Sequence, residues 1–323
     1  MKKILYLECK TGAAGDMLMG ALYSLLTEEQ KVLFLEKLNA ISEDVCVCPQ
    51  EICKQGIGGI HMKVEINGEE EGIAHTHDHH HDHEESHEHS HCVEHSHEEA
   101  HEHSHCAEHS HEEAHMHTHE DDHDHAHHHE SAQIHNHHHH EEEHAHVHHH
   151  GHHAHTSVAS ILEKISVLDM SDTVKKDAEG IYREIAAAES KVHQTDMEQI
   201  HFHEVGSVDA LIDVVGSCLA LELLGVDEVQ ASPICVGNGT VRCAHGILPV
   251  PAPATAEIIK GMPVYCSSFD GELLTPTGAA ILKYFVESYT KEMHMEIEEI
   301  GYGFGTKDFA QLSCVRAFLG YQK

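Results

Sequence analysis

"KILYLECKTGAAGDMLMGALYSLL", residues 3–26, is the stretch whose reading decides the fold. KILYLE (3–8) reads as a short strand, Thr11–Gly15 as a glycine-containing turn, and the apolar periodicity from about Asp16 to Leu26 as a helix. A second helix over about 28–38 and strand-like segments near 44–53 and 60–66 follow. This is an α/β opening.

Periodicity returns from Ser157, with helices over about 157–167 and 171–190 and a strongly apolar helix from Val208 to Leu224, closed by Gly225. Beyond it lie a strand candidate (227–236), "HGILPVPAPATAEIIKG" (245–261), "ELLTPTGAAILKYFV" (272–286) and strand-like ends around 301–308 and 314–321. Pro249, Pro251 and Pro253 alternate in a stiff extended segment, leading into a helix that Pro253 starts and Gly261 ends. Strands alternating with helices predict an α/β or α+β fold, a mixed sheet with flanking helices.

Between the two parts lies a low-complexity tract from His75 to His155, which holds most of the chain's 43 histidines. "HSHCVEHSHEEAHE" (89–102) recurs as "HSHCAEHSHEEAHM" (103–116), and a segment that tolerates duplication reads as an unpacked, disordered insertion. The expected organisation is therefore a folded part at 1–74, a His-rich metal-binding insertion at 75–155, and the rest of the folded domain at 156–323.

The tract suits Ni, Cu, Zn and Co, because each is well bound by neutral imidazole. It cannot hold a transition state, since catalytic groups need fixed geometry. It reads as a reservoir or buffer and a poor active site.

Formal charge is −37 for 323 residues, which makes nucleic acid and anionic membranes poor partners. Near a pKa of about 6.5, roughly a quarter of the imidazoles are protonated at pH 7, so metal there competes with protons. The apolar run after Lys2 and Lys3 is too short for a signal peptide, and a soluble, cytoplasmic protein is expected. The 11 cysteines then read as thiols. Cys46 and Cys48 share one face of a strand, as a soft-metal pair or as plain thiols.

"HFHEVGSVDALID" (201–213) is the densest chemical motif outside the tract. If 200–204 is extended, His201 and His203 share one face, opposite Phe202 and Glu204. Ser207 is a good N-cap, and Asp209 and Asp213 are i, i+4 neighbours on a helix apolar enough to be buried. Buried carboxylates must be paired, metal-bound or protonated. The two readings are a metal site and an ordinary arrangement of helix-dipole and salt-bridge carboxylates.

Three other stretches carry weaker signals. "TGAAGDM" (11–17) resembles a phosphate loop but lacks the Lys-Ser/Thr of that motif, and Asp16 reads equally as the helix N-cap or as a ligand or base. "LLTPTGAA" offers Thr275 as N-cap with Pro276 behind it, either a plain capped helix or a phosphate site with Thr277. "GYGFGTKD" (301–308) reads as a backbone nest with Lys307, or as a bulged hairpin.

Taken in order, "GAAGDMLMGAL", the internal His-rich insertion, "HFHEVGSVDALIDVVG", "HGILPVPAPATAEIIKG", "LLTPTGAAIL" and "GYGFGTKD" resemble the LarC-type nickel insertion proteins of lactate racemase activation, from residue 4 to about 320. The resemblance implies insertion of Ni(II) into pyridinium-3,5-bisthiocarboxylic acid mononucleotide, with Ni–S and Ni–C bonds forming. It also implies use of CTP with Mn or Mg, and a chelatase of the lyase class.

Because a Ni–C bond requires removal of a ring proton, the resemblance makes His201, His203 and Glu204 candidates for ligand and base. Asp16, Asp209 and Asp213 become candidates for holding metal, orienting those histidines or acting as base, and His245 joins the metal set. Thr275, Thr277 and Lys307 become candidates for the substrate phosphate. Longer members continue into a C-terminal nucleotide-binding domain, expected to be absent here, so a separate C-terminal-domain chain and other proteins of lactate racemase maturation are the expected partners. The readings from other classes are a nickel storage protein or chaperone serving a separate insertase, and a metal-dependent hydrolase built on His201, His203 and Asp209.

Overall fold

Five consecutive buried residues, Ile4 to Glu8, require a strand covered on both faces, which only the interior of a sheet provides. The computed structural model describes residues 1–70 and 156–322, so the insertion expected at 75–155 lies outside the described residues. In chain order the principal elements are β1 (Lys2–Glu8), α1 (Gly15–Ser24), α2 (Glu28–Asn39), β2 (Val45–Lys54), β3 (Ile57–Ile66), α3 (Val158–Val167), α4 (Asp172–His193) and α5 (Val208–Leu224). There follow β4 (Glu228–Ala231), a hairpin of β5 (Thr240–Cys243) and β6 (Gly246–Pro249), α6 (Pro253–Ile258), α7 (Pro276–Phe285), β7 (Ser288–Tyr289), β8 (Glu296–Phe304) and β9 (Cys314–Gln322).

The main sheet runs β7-β4-β1-β9-β8-β3-β2. It is mixed: β1 pairs in parallel with β4 and antiparallel with β9, and β3 pairs in parallel with β8. The helices build outward from it, α1 against β8, β3 and β9, α5 against α1, and α4 against α5, α6 and α7. This is the mixed α/β architecture that the alternation of elements predicts.

The glycines of GYGFG set how closely α1 approaches the sheet. A Cβ on Gly303 would stand 1.8 Å from the Met17 carbonyl oxygen, and one on Gly301 would stand 2.2 Å from Ser24 Oγ. Both glycines lie inside β8, whose only register irregularity falls earlier, between Ile297 and Glu299. The backbone nest is therefore corrected, while the hairpin reading holds, since β8 and β9 pair antiparallel, with the irregularity away from the glycines; alternation puts Gly301 and Gly303 on one strand face, under a helix that leaves no room for a side chain.

The strand expected at 227–236 is cut short. β4 ends at Ala231, and Ile234–Cys235 pairs instead with Val264–Tyr265, because Pro233 has no N–H to continue the ladder. α5 keeps its expected bounds. Ser207 Oγ accepts from Ala210 N–H at 3.1 Å and Gly225 closes the C-terminus in the left-handed region.

Candidate functional site

His201–Phe202 forms a two-residue strand paired with Thr156–Ser157. Phe202 is buried against Tyr182 of α4, ring centroids 5.9 Å apart, which fixes the segment on the core. The chain then leaves the extended region: His203 has φ −92° and ψ −97°, and a single 3-10 turn covers Glu204–Gly206. The expected extended run over 200–204 stops at Phe202, so strand alternation does not place His201 and His203 together. His201 is exposed and does not line the pocket that His203 lines.

That pocket, about 200 Å³, is where three imidazoles from separate segments meet. The turn of the β5–β6 hairpin carries His245, whose ring centroid lies 4.8 Å from that of His203, edge to face, and 5.0 Å from that of His193 in the last turn of α4. The hairpin tip is tied down by Ala244 N–H donating to Glu204 Oε1 at 3.3 Å. Glu189, one turn before His193, places Oε2 3.4 Å from His193 Nε2. Cys243, Glu272, Leu248 and Pro276 complete much of the wall, and its lining residues include no Lys or Arg.

Two acids of this pocket are shifted upward. Burial pushes the Glu189 carboxyl above the usual range and Glu204 adds repulsion, while His193 and His245 oppose the rise. Burial likewise raises Glu272, with Lys307 opposing and Glu204 assisting. Carboxyls displaced upward are better proton acceptors than ordinary ones.

A second polar region lies at the N-terminus of α1. The N-cap there is Ala14, which supplies no side chain, and Asp16 sits one residue inside the helix. The N-cap reading of Asp16 is thereby corrected. Asp16 Oδ1 accepts from Met17 N–H at 2.7 Å, and Oδ2 accepts from Thr306 N–H at 3.0 Å and the Thr306 hydroxyl at 3.3 Å.

The vacant cap is filled from α5. The Asp213 carboxylate accepts from Asp16 N–H, and Gly15 leaves room for it, since a Cβ there would stand 2.4 Å from Asp213 Oδ2. Asp213 is 6% exposed, and its Oδ1 has no partner. Burial first, then Asp209 and Asp16, push its carboxyl well up. Two carboxylates thus occupy the helix end that a phosphate loop would leave open.

Of the expected phosphate residues, Thr275 spends its hydroxyl accepting from Gly278 N–H at 3.2 Å, capping α7 beside the pocket-lining Pro276. Thr277 is buried. Lys307 is exposed and lies 3.8 Å from Glu272. A single loop therefore links the regions: Thr306 reaches Asp16 and Lys307 reaches the pocket wall.

Among the described residues, no three His, Cys, Asp or Glu side chains are grouped so that they could hold a metal ion. His193, Glu189, Glu272 and Cys243 were not singled out in the sequence. Glu189 and His193 were detectable as an i, i+4 acid–imidazole pair on α4; Glu272 and Cys243 carry no local signal, since only the hairpin's position brings them in.

A family model described as "Nickel insertion protein" matches residues 5–136 and 131–323. The chain belongs to this nickel insertion family. It is 45% identical over 320 residues, 98% of its length and 60% of the relative's, to a protein of Geobacillus kaustophilus named pyridinium-3,5-bisthiocarboxylic acid mononucleotide nickel insertion protein. Proteins of the same name from Staphylococcus saprophyticus (45% over 163 residues, 50% of this chain and 42% of the relative) and Clostridium kluyveri (46% over 154 residues, 48% and 39%) are also similar. The chain spans about half the length of the curated relatives it matches. No solved structure matches. Among the described residues, no helix is long and apolar enough to cross a membrane.

Proposed function

We propose that this chain inserts nickel into pyridinium-3,5-bisthiocarboxylic acid mononucleotide, acting as a cytoplasmic chelatase of the lyase class. The observation that carries the reading is the meeting of His193, His203 and His245 in one acid-lined pocket, in a chain of the nickel insertion family. Imidazole is a good donor to nickel. A closed cage would defeat the purpose, because cargo in transit needs open positions for the incoming sulfurs. Among the described residues no three donors are closed around a metal position, and we read the open pocket as one for transfer.

In this reading His203 and His245 hold nickel while the thiocarboxylate sulfurs enter. Forming the Ni–C bond breaks a ring C–H bond, its electron pair going to nickel and its proton to a base. Glu204, or His203 only where it does not itself bind nickel, is the candidate from the motif, and Glu189 and Glu272 have the upward-shifted carboxyls suited to the task. Asp16 and Asp213 act from behind, holding the 305–308 loop and the start of α1 in place, and Asp209 adds the charge that faces Asp213. Lys307, beside Glu272, is the candidate cation for the substrate phosphate, with Thr275 and Thr277 at the start of α7. His201 sits outside the pocket, and its part would be to receive metal from the insertion at 75–155.

A nucleoside triphosphate with Mn or Mg does not fit these residues. The α1 N-terminus is taken up by carboxylates, and the pocket wall contributes three glutamates and no Lys or Arg. No step is assigned to CTP. The part of the relatives that this sequence does not span is the candidate partner that brings it, whether on the same polypeptide or another.

The test is an insertion assay with purified chain, nickel, substrate and CTP, with and without such a partner. Insertion is expected to fail in His203→Ala while bulk nickel binding, dominated by the tract, barely changes. Deleting 75–155 is expected to lower nickel stoichiometry but leave insertion at saturating nickel. Unimpaired insertion by His203→Ala would move the reading to nickel storage for a separate insertase.

A further inference from the structure

Free cysteines are among the most buried residues in proteins, where they act as small hydrophobes. Cys46 and Cys48 break that rule: Cys46 is exposed and Cys48 half-buried, on β2 at the end of the sheet. Val45 and Val47 on the same strand turn inward to the core, so alternation turns both thiols outward. They are not filling space. Their sulfurs lie 3.1 Å apart, neither is in a disulfide, and each is within reach of the other's proton.

An ion pair on the neighbouring strand faces both thiols. On β3, Glu65 lies opposite Cys46 and Lys63 opposite Cys48. Lys63 Nζ pairs with Glu65 Oε1 at 2.7 Å; the adjacent Cys46 thiol, then burial and Glu65, push the Cys48 thiol up, with Lys63 opposing, so the pair rests protonated and a metal must displace its protons. A shared proton between two sulfurs marks a place where one cation can replace protons, because a metal accepts both lone pairs at once.

We propose that Cys46 and Cys48 form a dithiolate site for a single thiophilic divalent metal ion, distinct from the imidazole pocket. Binding releases both thiol protons to solvent, and each sulfur donates one electron pair to the metal. Water or an exogenous ligand completes the coordination, since the described neighbours supply no third grouped donor. Sulfur pairs select softer ions than imidazole does. The chain would thus sort metals by donor, with imidazole for the cargo and thiolate for zinc, cadmium or cobalt.

Because tract histidines swamp any bulk measurement, the test must report sulfur alone. Cobalt(II) gives a near-ultraviolet thiolate charge-transfer band that its imidazole complexes lack. Full-length Cys92→Ser/Cys106→Ser protein, free of tract thiols, is titrated to saturating cobalt. One equivalent of the band is expected, lost in Cys46→Ser and in Cys48→Ser and retained in Cys53→Ser/Cys266→Ser. Phenylarsine oxide, which bridges two thiols and ignores imidazole, is expected to erase the band at one equivalent, and to find no paired site in Cys46→Ser. Absence of the band at saturating cobalt, its survival in both single variants, or unchanged arsenical uptake by Cys46→Ser would overturn the proposal. Unchanged circular dichroism of the serine variants shows that a lost band reports the site and not the fold.

Discussion

Residues 201–213 feed two regions that use polar side chains in opposite ways. The front of the motif turns outward at His203 and meets His193 and His245 in an open pocket. The back turns inward, and Asp213 becomes the cap of a helix that begins almost 200 residues earlier in the chain. The lesson is that ligand-like residues four to ten positions apart need not share a task. Burial separates them: the nearly closed Asp213 carboxylate spends itself on the Asp16 N–H, and the exposed imidazoles are left open to a ligand.

If that division is right, substitutions on the two sides separate activity from stability. The largest effect is expected from His203→Ala, which should reduce insertion about 100-fold or more, the scale of a lost catalytic acid–base group. Thermal unfolding should move by about 1 °C or less, because the side chain is exposed and surface changes cost little. A Tm fall of several degrees in calorimetry would merge the two regions.

Next, Asp213→Ala leaves the Asp16 N–H unpaired and a hole beside Gly15. A loss of about 2–3 kcal/mol is expected, lowering Tm by about 5–10 °C for a fold of this size. Bulk nickel binding should be unchanged.

A subtler probe is Asp213→Asn. The folded-state pKa of Asp213 is raised above its unfolded value, so its contribution is fully present below the unfolded range near about 4 and is lost as pH rises through the folded value. Asp209 and Asp16 face it in both proteins. The amide variant should therefore gain on the wild type between acid and neutral pH, in a Tm difference smaller than the alanine loss. A pH-independent difference would show that folding leaves the Asp213 pKa unchanged.

The smallest effect is expected from Lys307→Ala. An exposed lysine 3.8 Å from Glu272 adds about 0–1 kcal/mol, so Tm should hold. If Lys307 meets substrate phosphate, KM rises about threefold with kcat unchanged, the mark of lost uniform binding.

How much of this could be read beforehand depends on whether the signal is local. Helix α5 was legible to the residue, because Ser207, the apolar run and Gly225 lie side by side in sequence. The Thr275 cap and Pro276 were legible for the same reason. Misreadings arose where the cause lies far away: Gly301 and Gly303 look like turn residues until α1 is seen resting on them. Asp16 looks like an N-cap until Asp213 arrives from α5 to supply the missing partner. The pocket followed the same pattern, with His203 and His245 visible as residues but their meeting with His193 set by packing of α4 and the hairpin.

The pairing of Thr156–Ser157 with His201–Phe202 has one more consequence, for rates of supply. Thr156 immediately follows His155, the last residue of the His-rich tract, and Phe202 immediately precedes His203. Thr156, where the described chain resumes, is thus held by backbone pairing beside the residue that precedes His203. For a tethered donor, encounter is governed by the length of chain between anchor and cargo, and a short tether corresponds to an effective concentration in the millimolar range. If the proposed insertion carries nickel, the number of residues between its ligands and Thr156 sets how often that metal meets His203.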